Sequence, residues 1–128
     1  MGRAGQTRAV FRYSRDERLP VEILVFQVDP ADVEEFLRID HEVWTLGEAF
    51  HPDLDRILFL SKEVWLNDAR PGEITLIFVF ESKAAWEQVG ADHIQARLTA
   101  GFERRFTKPY ALTRAIHEEH GYGIHRWS

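Results

Sequence analysis

Residues 56–80 read RILFLSKEVWL, then NDARPG, then EITLIFVF, and this stretch decides the fold of the chain. The first and third segments are rich in β-branched and aromatic residues, which is typical of strands, whereas the segment with Pro and Gly between them is typical of a turn. We therefore predict strands over residues 56–66 and 73–80 that pair as an antiparallel hairpin with a longer loop.

A strand and a helix are predicted before the hairpin. The sequence PVEILVFQV predicts a strand over residues 21–28. The helix begins after Asp29, whose carboxylate can cap the first turn, and Pro30 stands where its missing N–H costs nothing. We expect this helix to run to about Gly47.

Two helices and a strand are predicted after the hairpin. Ser82 caps a short helix that extends through Trp86. A longer helix begins at Asp92 and ends before Pro109, and the sequence YALTRAIHE that follows predicts the last strand. The long helix carries an apolar residue at every fourth position, at Ile94, Leu98, Phe102 and Phe106.

The order strand, helix, strand, strand, helix, strand is the split β-α-β-β-α-β pattern of ferredoxin-like folds, so the predicted class is α+β. We expect residues 20–128 to form this single domain, which suits a chain of 128 residues. Residues 1–19 hold five Arg against one Asp and one Glu and predict a flexible arm, or alternatively an arm that contacts anionic partners.

Charge and composition exclude several classes of protein. The net charge is -5, and because the arm carries +3 the remainder carries -8, which argues against a nucleic-acid-binding domain. The chain has no cysteine, so disulfides and thiol nucleophiles are excluded. No apolar run approaches the roughly 18 residues of a membrane span, and the arm lacks a signal-peptide pattern, so we expect no membrane partner and a cytoplasmic location.

Both faces of the predicted sheet are apolar. The strand at residues 73–80 places four large apolar side chains on one face and Ile77 and Val79 on the other. Two helices can cover only one face. We therefore expect the second face to pack against the sheet of another copy, which gives a homodimer of the dimeric α+β barrel type.

The segments VEILVFQV, DHEVWT, KEVWL, SKAAW and FTKPYALTRA resemble a family of small dimeric α+β barrel proteins of uncharacterised function from cyanobacteria and other bacteria. The resemblance also rests on the spacing of Trp44, Trp65, Trp86 and Tyr110. More distantly, the fold is similar to that of antibiotic-biosynthesis and haem-degrading monooxygenases, which implies a small aromatic substrate or haem between helix and sheet. That fold also hosts isomerases and non-catalytic proteins, so it does not select one chemistry.

An acidic residue of the first helix is directed towards the predicted core. At about 100° per residue, Asp40 projects near the middle of the apolar sector. A carboxyl group there needs a hydrogen-bond partner, a counter-ion or a wet cavity, so Asp40 is either a catalytic proton acceptor or substrate anchor, or a structural carboxylate. His41 projects just outside this sector and is the second catalytic candidate, the alternative being a solvated histidine.

The tripeptide Glu-Val-Trp occurs at residues 42–44 on the predicted helix and at residues 63–65 on a predicted strand, so it implies no repeat of the fold. Trp44 lies one turn after Asp40 and is a candidate wall of a substrate pocket. Glu63 and Trp65 share one face of the strand, and they would join the same pocket if that face meets the first helix. Otherwise Glu63 faces water and Trp65 is a packing residue. Gln27 is a further candidate for substrate binding.

The C-terminal segment HEEHGYGIH contains His117, His120 and His125. Imidazole and carboxylate groups suit several transition metals, but His117 and His120 would face opposite ways on a strand. We predict no metal site and no cofactor.

The sequence leaves three functions open. The first is a cofactor-free monooxygenase or isomerase that acts on a small aromatic or apolar molecule held between the first helix and the sheet. The second is a non-catalytic protein of small-molecule binding or assembly, and the third is a haem-binding or haem-degrading protein that uses a histidine. A cavity at Asp40 that is larger than one water molecule would favour the first over the second.

Overall fold

The computed structural model describes residues 19–50, 59–89, 92–116 and 125–126. Its strands are β1 (Leu19–Val28), β2 (Phe59–Leu66), β3 (Glu73–Phe80), β4 (Tyr110–Ile116) and β5 (His125–Arg126). Residues 1–18 of the predicted arm, residues 56–58 and the side chains of His117, His120 and His125 lie outside this description. Leu19, the last residue of the predicted arm, belongs to β1.

The first helical segment, residues 30–49, contains four parts. They are a 3-10 turn (Pro30–Asp32), helix α1 (Val33–Ile39), a π-helical segment (Asp40–Thr45) and helix α2 (Leu46–Ala49). Helices α3 (Lys83–Val89) and α4 (Asp92–Arg105) follow β3. In the described ranges, no helix has both the length and the apolar character needed to cross a membrane.

The strands form one antiparallel sheet in the order β2-β3-β1-β4, and β5 pairs with the start of β1. This is the arrangement of a ferredoxin-like α+β fold, so the predicted fold class is confirmed. The register pairs Leu24 with Leu76 and Phe26 with Ile74. These four side chains therefore lie on one face of the sheet, which is the face that the helices cover.

Local signals in the sequence act as predicted. The Asp29 carboxylate accepts a hydrogen bond from the Ala31 N–H at 2.9 Å, and the Ser82 hydroxyl accepts one from the Ala85 N–H at 3.0 Å. Gly72 ends the hairpin turn at a φ of 88°, where a Cβ atom would lie 2.2 Å from the Val28 carbonyl oxygen. Only glycine fits such a position.

The core lies between the helices and the sheet. Its centre is a set of aromatic rings in which Phe36 of α1 lies edge-on to Phe102 and Phe106, with ring centroids 5.3 Å apart in both pairs. Edge-to-face pairs of this kind stabilise a core beyond the area that they bury. The periodic apolar residues of α4, together with Phe106 just after it, are all buried.

None of the helices in the described ranges covers the other face of the sheet. Its apolar side chains Val21, Ile23, Val25, Ile77 and Val79 are half-buried, although they lie at the centre of the sheet. At its edge Trp65 is 58% exposed. The two-faced apolar pattern read from the sequence is therefore present, and the described part of one chain leaves the second face open.

Candidate functional site

A cavity of about 410 Å³ lies between the first helical segment, α4 and the sheet. This volume is within the range of small-molecule sites. Its walls are mostly aromatic and aliphatic and include Leu24, Phe26, Phe36, Trp44, Leu76, Phe78, Phe102, Tyr110 and Leu112. Its polar lining comes from three carboxyl groups together with Gln95 and Thr99. Such a chamber suits an apolar ligand that carries a few polar groups.

Asp40 lines this cavity and forms a buried ion pair with Lys62 of β2. The Lys62 ammonium donates to Asp40 Oδ2 at 2.5 Å and to the hydroxyl oxygen of Thr45. The two charged side chains are 7% and 10% exposed. Burial raises the pKa of Asp40, and the Lys62 ammonium acts against this rise. The counter-ion that the buried carboxylate needs is therefore Lys62.

Glu48 of α2 is a second buried carboxyl group in the cavity wall. It is 6% exposed, and it makes no hydrogen bond to the described part of the chain. Burial raises the pKa of Glu48 to about 8, and the charges of Glu22 and Asp40 add to this effect, whereas Lys62 opposes it. At neutral pH the Glu48 carboxyl group is therefore mostly protonated.

The π-helical segment explains how Asp40 and Glu48 come to share one cavity. In a regular α-helix, residues eight apart differ by about 80° around the axis, whereas residues seven apart differ by about 20°. The wider turn between Asp40 and Thr45, in which the Leu46 N–H reaches the His41 carbonyl, takes up one extra residue. Glu48 therefore returns to the side of the helix on which Asp40 lies.

Gly47 allows α2 to approach α4 closely beside this pair of acids. A Cβ atom at residue 47 would lie 2.6 Å from Leu98 Cδ2, which is too close for non-bonded carbon atoms, so Leu98 would have to move. Because Gly47 has no side chain, α2 can lie close to α4, and the neighbouring Glu48 is buried as a result.

Among the residues predicted from the sequence, Asp40 and Trp44 line the cavity. His41, which follows Asp40, is exposed. Its charge acts weakly to lower the pKa of Asp40. The structure therefore places one of the two catalytic candidates inside the cavity and the other at the surface.

The predicted substrate-binding residues Glu63, Trp65 and Gln27 lie on the outer face of the sheet. The register pairs Glu63 with Ile77 and Trp65 with Thr75, so both side chains point away from the first helix. The Trp65 indole N–H donates to the Glu63 carboxylate at 2.8 Å. The Gln27 amide donates to the carbonyl oxygens of Val28 and Pro71. The two Glu-Val-Trp copies were predicted to line one pocket if the face of Glu63 and Trp65 met the first helix. The register shows that this face points away from the helix, so the copies do not share a pocket.

Sequence reasoning missed Lys62, Glu48 and Glu22 as site residues. Lys62 pairs with Phe78, which places it in phase with the apolar residues that face the helices. A lysine in that phase was the signal that could have located the partner of Asp40. Glu48 had no such signal, because a regular helical projection places it well away from Asp40.

Solved structures of low sequence identity share this fold. A protein from Caulobacter crescentus, described as a candidate antibiotic biosynthesis monooxygenase, is 13% identical with a TM-score of 0.53 and covers 80% of this chain and 91% of its own. One from Bacteroides thetaiotaomicron with the same description is 16% identical with a TM-score of 0.50, over 79% of this chain and 86% of its own.

The cofactor-independent oxygenase SnoaB of Streptomyces nogalater is 14% identical with a TM-score of 0.47, over 77% of this chain and 94% of its own. No family model matches the chain. No curated protein matches it either. The chain thus has the ferredoxin-like fold of the antibiotic biosynthesis monooxygenases.

Proposed function

We propose that this protein is a cofactor-free enzyme, an oxygenase or an isomerase, that removes a proton from a small, largely apolar or aromatic substrate in the cavity. The observation that carries this proposal is a buried carboxylate in an aromatic chamber of ligand size. A perturbed acid inside a cleft is a typical mark of a catalytic site. The cavity is much larger than one water molecule, which favours ligand binding over a purely structural role for Asp40.

Asp40 is the proposed proton acceptor. Its Oδ2 atom is held by Lys62, so the carboxylate is fixed in place. The second oxygen accepts no hydrogen bond from a described residue, and we propose that it faces a ligand that lies against Trp44 and Phe36. The Lys62 ammonium favours the ionised form of Asp40, while burial makes that form a stronger base than it is in water. Both effects suit a group that accepts a proton near neutral pH.

Two outcomes are open to the carbanion that proton removal creates. In an isomerisation Asp40 returns the proton to another carbon of the substrate. In an oxygenation the electron-rich substrate reacts directly with dioxygen, so that a methylene group becomes a carbonyl group and the second oxygen atom leaves as water. Neither route requires a cofactor, because the chain supplies the base and the substrate supplies the electrons.

The haem alternative has less support. The described residues that line the cavity include no histidine, so they do not provide the histidine ligand that this alternative requires. We therefore propose proton transfer by Asp40 in preference to haem chemistry.

We expect the protein to act as a homodimer joined through the outer face of the sheet. The half-buried apolar side chains of that face, together with Trp65, support this arrangement because a second sheet would remove them from water. Such an arrangement leaves the cavity on the opposite face open to its ligand.

The proton-transfer proposal is tested with 2-tetralone, a bicyclic ketone with acidic C–H groups. We expect the wild type to accelerate exchange of these hydrogens in D₂O, measured by NMR. Asp40→Asn should reduce the acceleration by about 100-fold or more, in keeping with loss of a general base. Glu34→Gln, at an exposed position of α1, is the matched control and should retain the full rate.

Two results would contradict the proposal. Binding of 2-tetralone with no acceleration of exchange in the wild type would support the non-catalytic alternative, in which the cavity only holds a ligand. Equal rates for the wild type and Asp40→Asn would remove Asp40 from the mechanism. His41→Gln should leave the rate unchanged, because its ring is exposed outside the cavity.

A further inference from the structure

Glu48 has no function in the proton transfer described above, yet it is one of the most buried charged residues in the described chain. Its side chain lies in the cavity wall, is 6% exposed and makes no hydrogen bond to a described residue. Buried polar groups normally have a partner, and a carboxyl group without one lowers stability. A group of this kind in the wall of a ligand-sized cavity points to a partner supplied by the ligand.

The charges around Glu48 define the chemistry of that partner. Carboxyl groups reach the cavity from three elements, namely Glu22 from β1, Asp40 from the π-helical segment and Glu48 from α2. Among the described residues, the cation that acts on Asp40 and Glu48 is Lys62, whose ammonium is already bound by Asp40 and Thr45. No Lys, Arg or His belongs to the described lining of the cavity. Glu48 therefore has no bonded cation in the described part of the chain.

From this arrangement we infer that the ligand is an aromatic or apolar molecule that carries a protonated amine, and that Glu48 binds the ammonium group. This inference rests on the proposed function of the cavity as a ligand site and specifies the class of ligand. The aromatic walls take the apolar part, and aromatic faces such as that of Phe36 favour a nearby cation. An anionic ligand cannot form an ion pair with Glu48 and would lie beside the Asp40 carboxylate, so it should bind less tightly.

Binding of a cation is coupled to the release of a proton. Below pH 8 the Glu48 carboxyl group is mostly protonated, because burial and its acidic neighbours raise its pKa to about 8. An ammonium group favours the ionised form, so the proton leaves to solvent as the ligand binds. The affinity for the amine should therefore rise with pH up to about 8 and then level off.

The test compares three probes with one ring system, 2-naphthylmethylamine, 2-naphthylmethanol and 2-naphthoic acid. Titration calorimetry at pH 6.5 in two buffers of different ionisation enthalpy gives the affinity and the number of protons released. We expect the amine to bind at least about tenfold more tightly than the alcohol, which is about 1.4 kcal/mol, and to release close to one proton. The acid should bind most weakly of the three.

Glu48→Gln keeps the shape of the side chain and removes its charge. In this variant the preference for the amine and the proton release should both disappear, while the alcohol still binds. Circular dichroism and binding of the alcohol establish that the variant is folded. Glu34→Gln, which is exposed on α1, should behave as the wild type.

The outcomes separate this inference from the proposed function. If the alcohol binds as tightly as the amine, the cavity is a ligand site but the cationic class is wrong. If an unchanged preference for the amine persists in Glu48→Gln, then Glu48 is not the anchor. If none of the three probes binds, both the inference and the proposed ligand site are overturned.

Discussion

The tripeptide Glu-Val-Trp occurs on both sides of the sheet, once in the helical segment that covers one face and once on a strand with side chains on the other face. On the helical side, Glu42 extends to the surface and bonds with Arg105, whereas Trp44 lines the cavity. On the outer face, Glu63 and Trp65 lie side by side and hydrogen-bond to each other, with Trp65 largely exposed. Residues two apart lie on nearly opposite sides of a helix but on the same side of a strand. Backbone conformation therefore decides which copy of Glu-Val-Trp belongs to the candidate site.

The contrast extends to charge. The helix-facing side of the sheet encloses Lys62, Asp40 and Glu48, and the low exposure of these groups makes each charge costly to leave unpaired. Charged groups on the outer side are in contact with water. We therefore expect neighbouring residues of β2 to respond very differently to substitution.

The largest expected effect is that of Lys62→Met. The substitution leaves the Asp40 carboxylate buried without its counter-ion, and it should lower the free energy of unfolding by about 3–5 kcal/mol. The adjacent Glu63→Gln on the outer face should change it by less than about 0.5 kcal/mol. Urea denaturation followed by circular dichroism measures both.

A double variant sharpens this result. Asp40→Asn combined with Lys62→Met removes both charges and should recover much of the stability that Lys62→Met loses. Similar losses for Lys62→Met and Glu63→Gln would contradict the difference between the two faces.

The dependence of stability on pH is the next largest effect. The pKa of Glu48 is about 8 in the folded state, against 4.5 for an ordinary glutamate, so the folded state retains a proton that the unfolded state releases. Stability should therefore fall as the pH rises between about 4.5 and about 8, by up to about 1.4 kcal/mol per pH unit. Burial raises the pKa of Asp40 as well, which adds to the same trend.

Glu48→Gln isolates this contribution. Urea denaturation at pH 5, 6.5 and 8 should show the wild type losing stability relative to the variant as the pH rises. A parallel curve for Glu48→Gln would mean that the cavity keeps this carboxyl group well hydrated.

The smallest effects separate the two tryptophans. Trp44→Ala should weaken binding of 2-naphthylmethanol by about tenfold, because it removes an aromatic wall worth roughly 1.4 kcal/mol or more, and it should leave assembly unchanged. Trp65→Ala should weaken the dimer by a similar factor and leave ligand binding unchanged. Calorimetry and sedimentation measure the two properties. If Trp65→Ala weakened ligand binding and Trp44→Ala weakened the dimer, the ligand would lie on the outer face.

Much of the fold could be predicted from the sequence because its signals are local. Asp29 and Ser82 cap helices by contacts within three residues, and Gly72 marks a turn that other residues cannot form. The strands were recognisable from composition, and their order led directly to the ferredoxin-like pattern. These features depend on neighbours in the chain and not on the complete structure.

The site could be predicted only in part, because it depends on register and on an irregular helix. Asp40 was identified from the helical projection, but its partner Lys62 lies on a distant strand. A bulge between Phe59 and Ser61 decides on which face of the sheet the later residues of that strand lie. The same shift sends Glu63 and Trp65 to the outer face. Glu48 depends on the π-helical segment, which no local preference in the sequence indicated.

The wide turn at Asp40–Thr45 also lets the first helical segment hold one residue more than a regular helix of the same phase. Removing one residue between His41 and Val43 would allow a regular α-helix to form. Glu48 would then follow Asp40 by seven positions, about 20° away around the axis, so both acids would still line the chamber. An added residue in a regular helix would instead rotate every later residue by about 100°. The wide turn is therefore the feature that lets the chain length vary by one residue while both acids stay in the chamber.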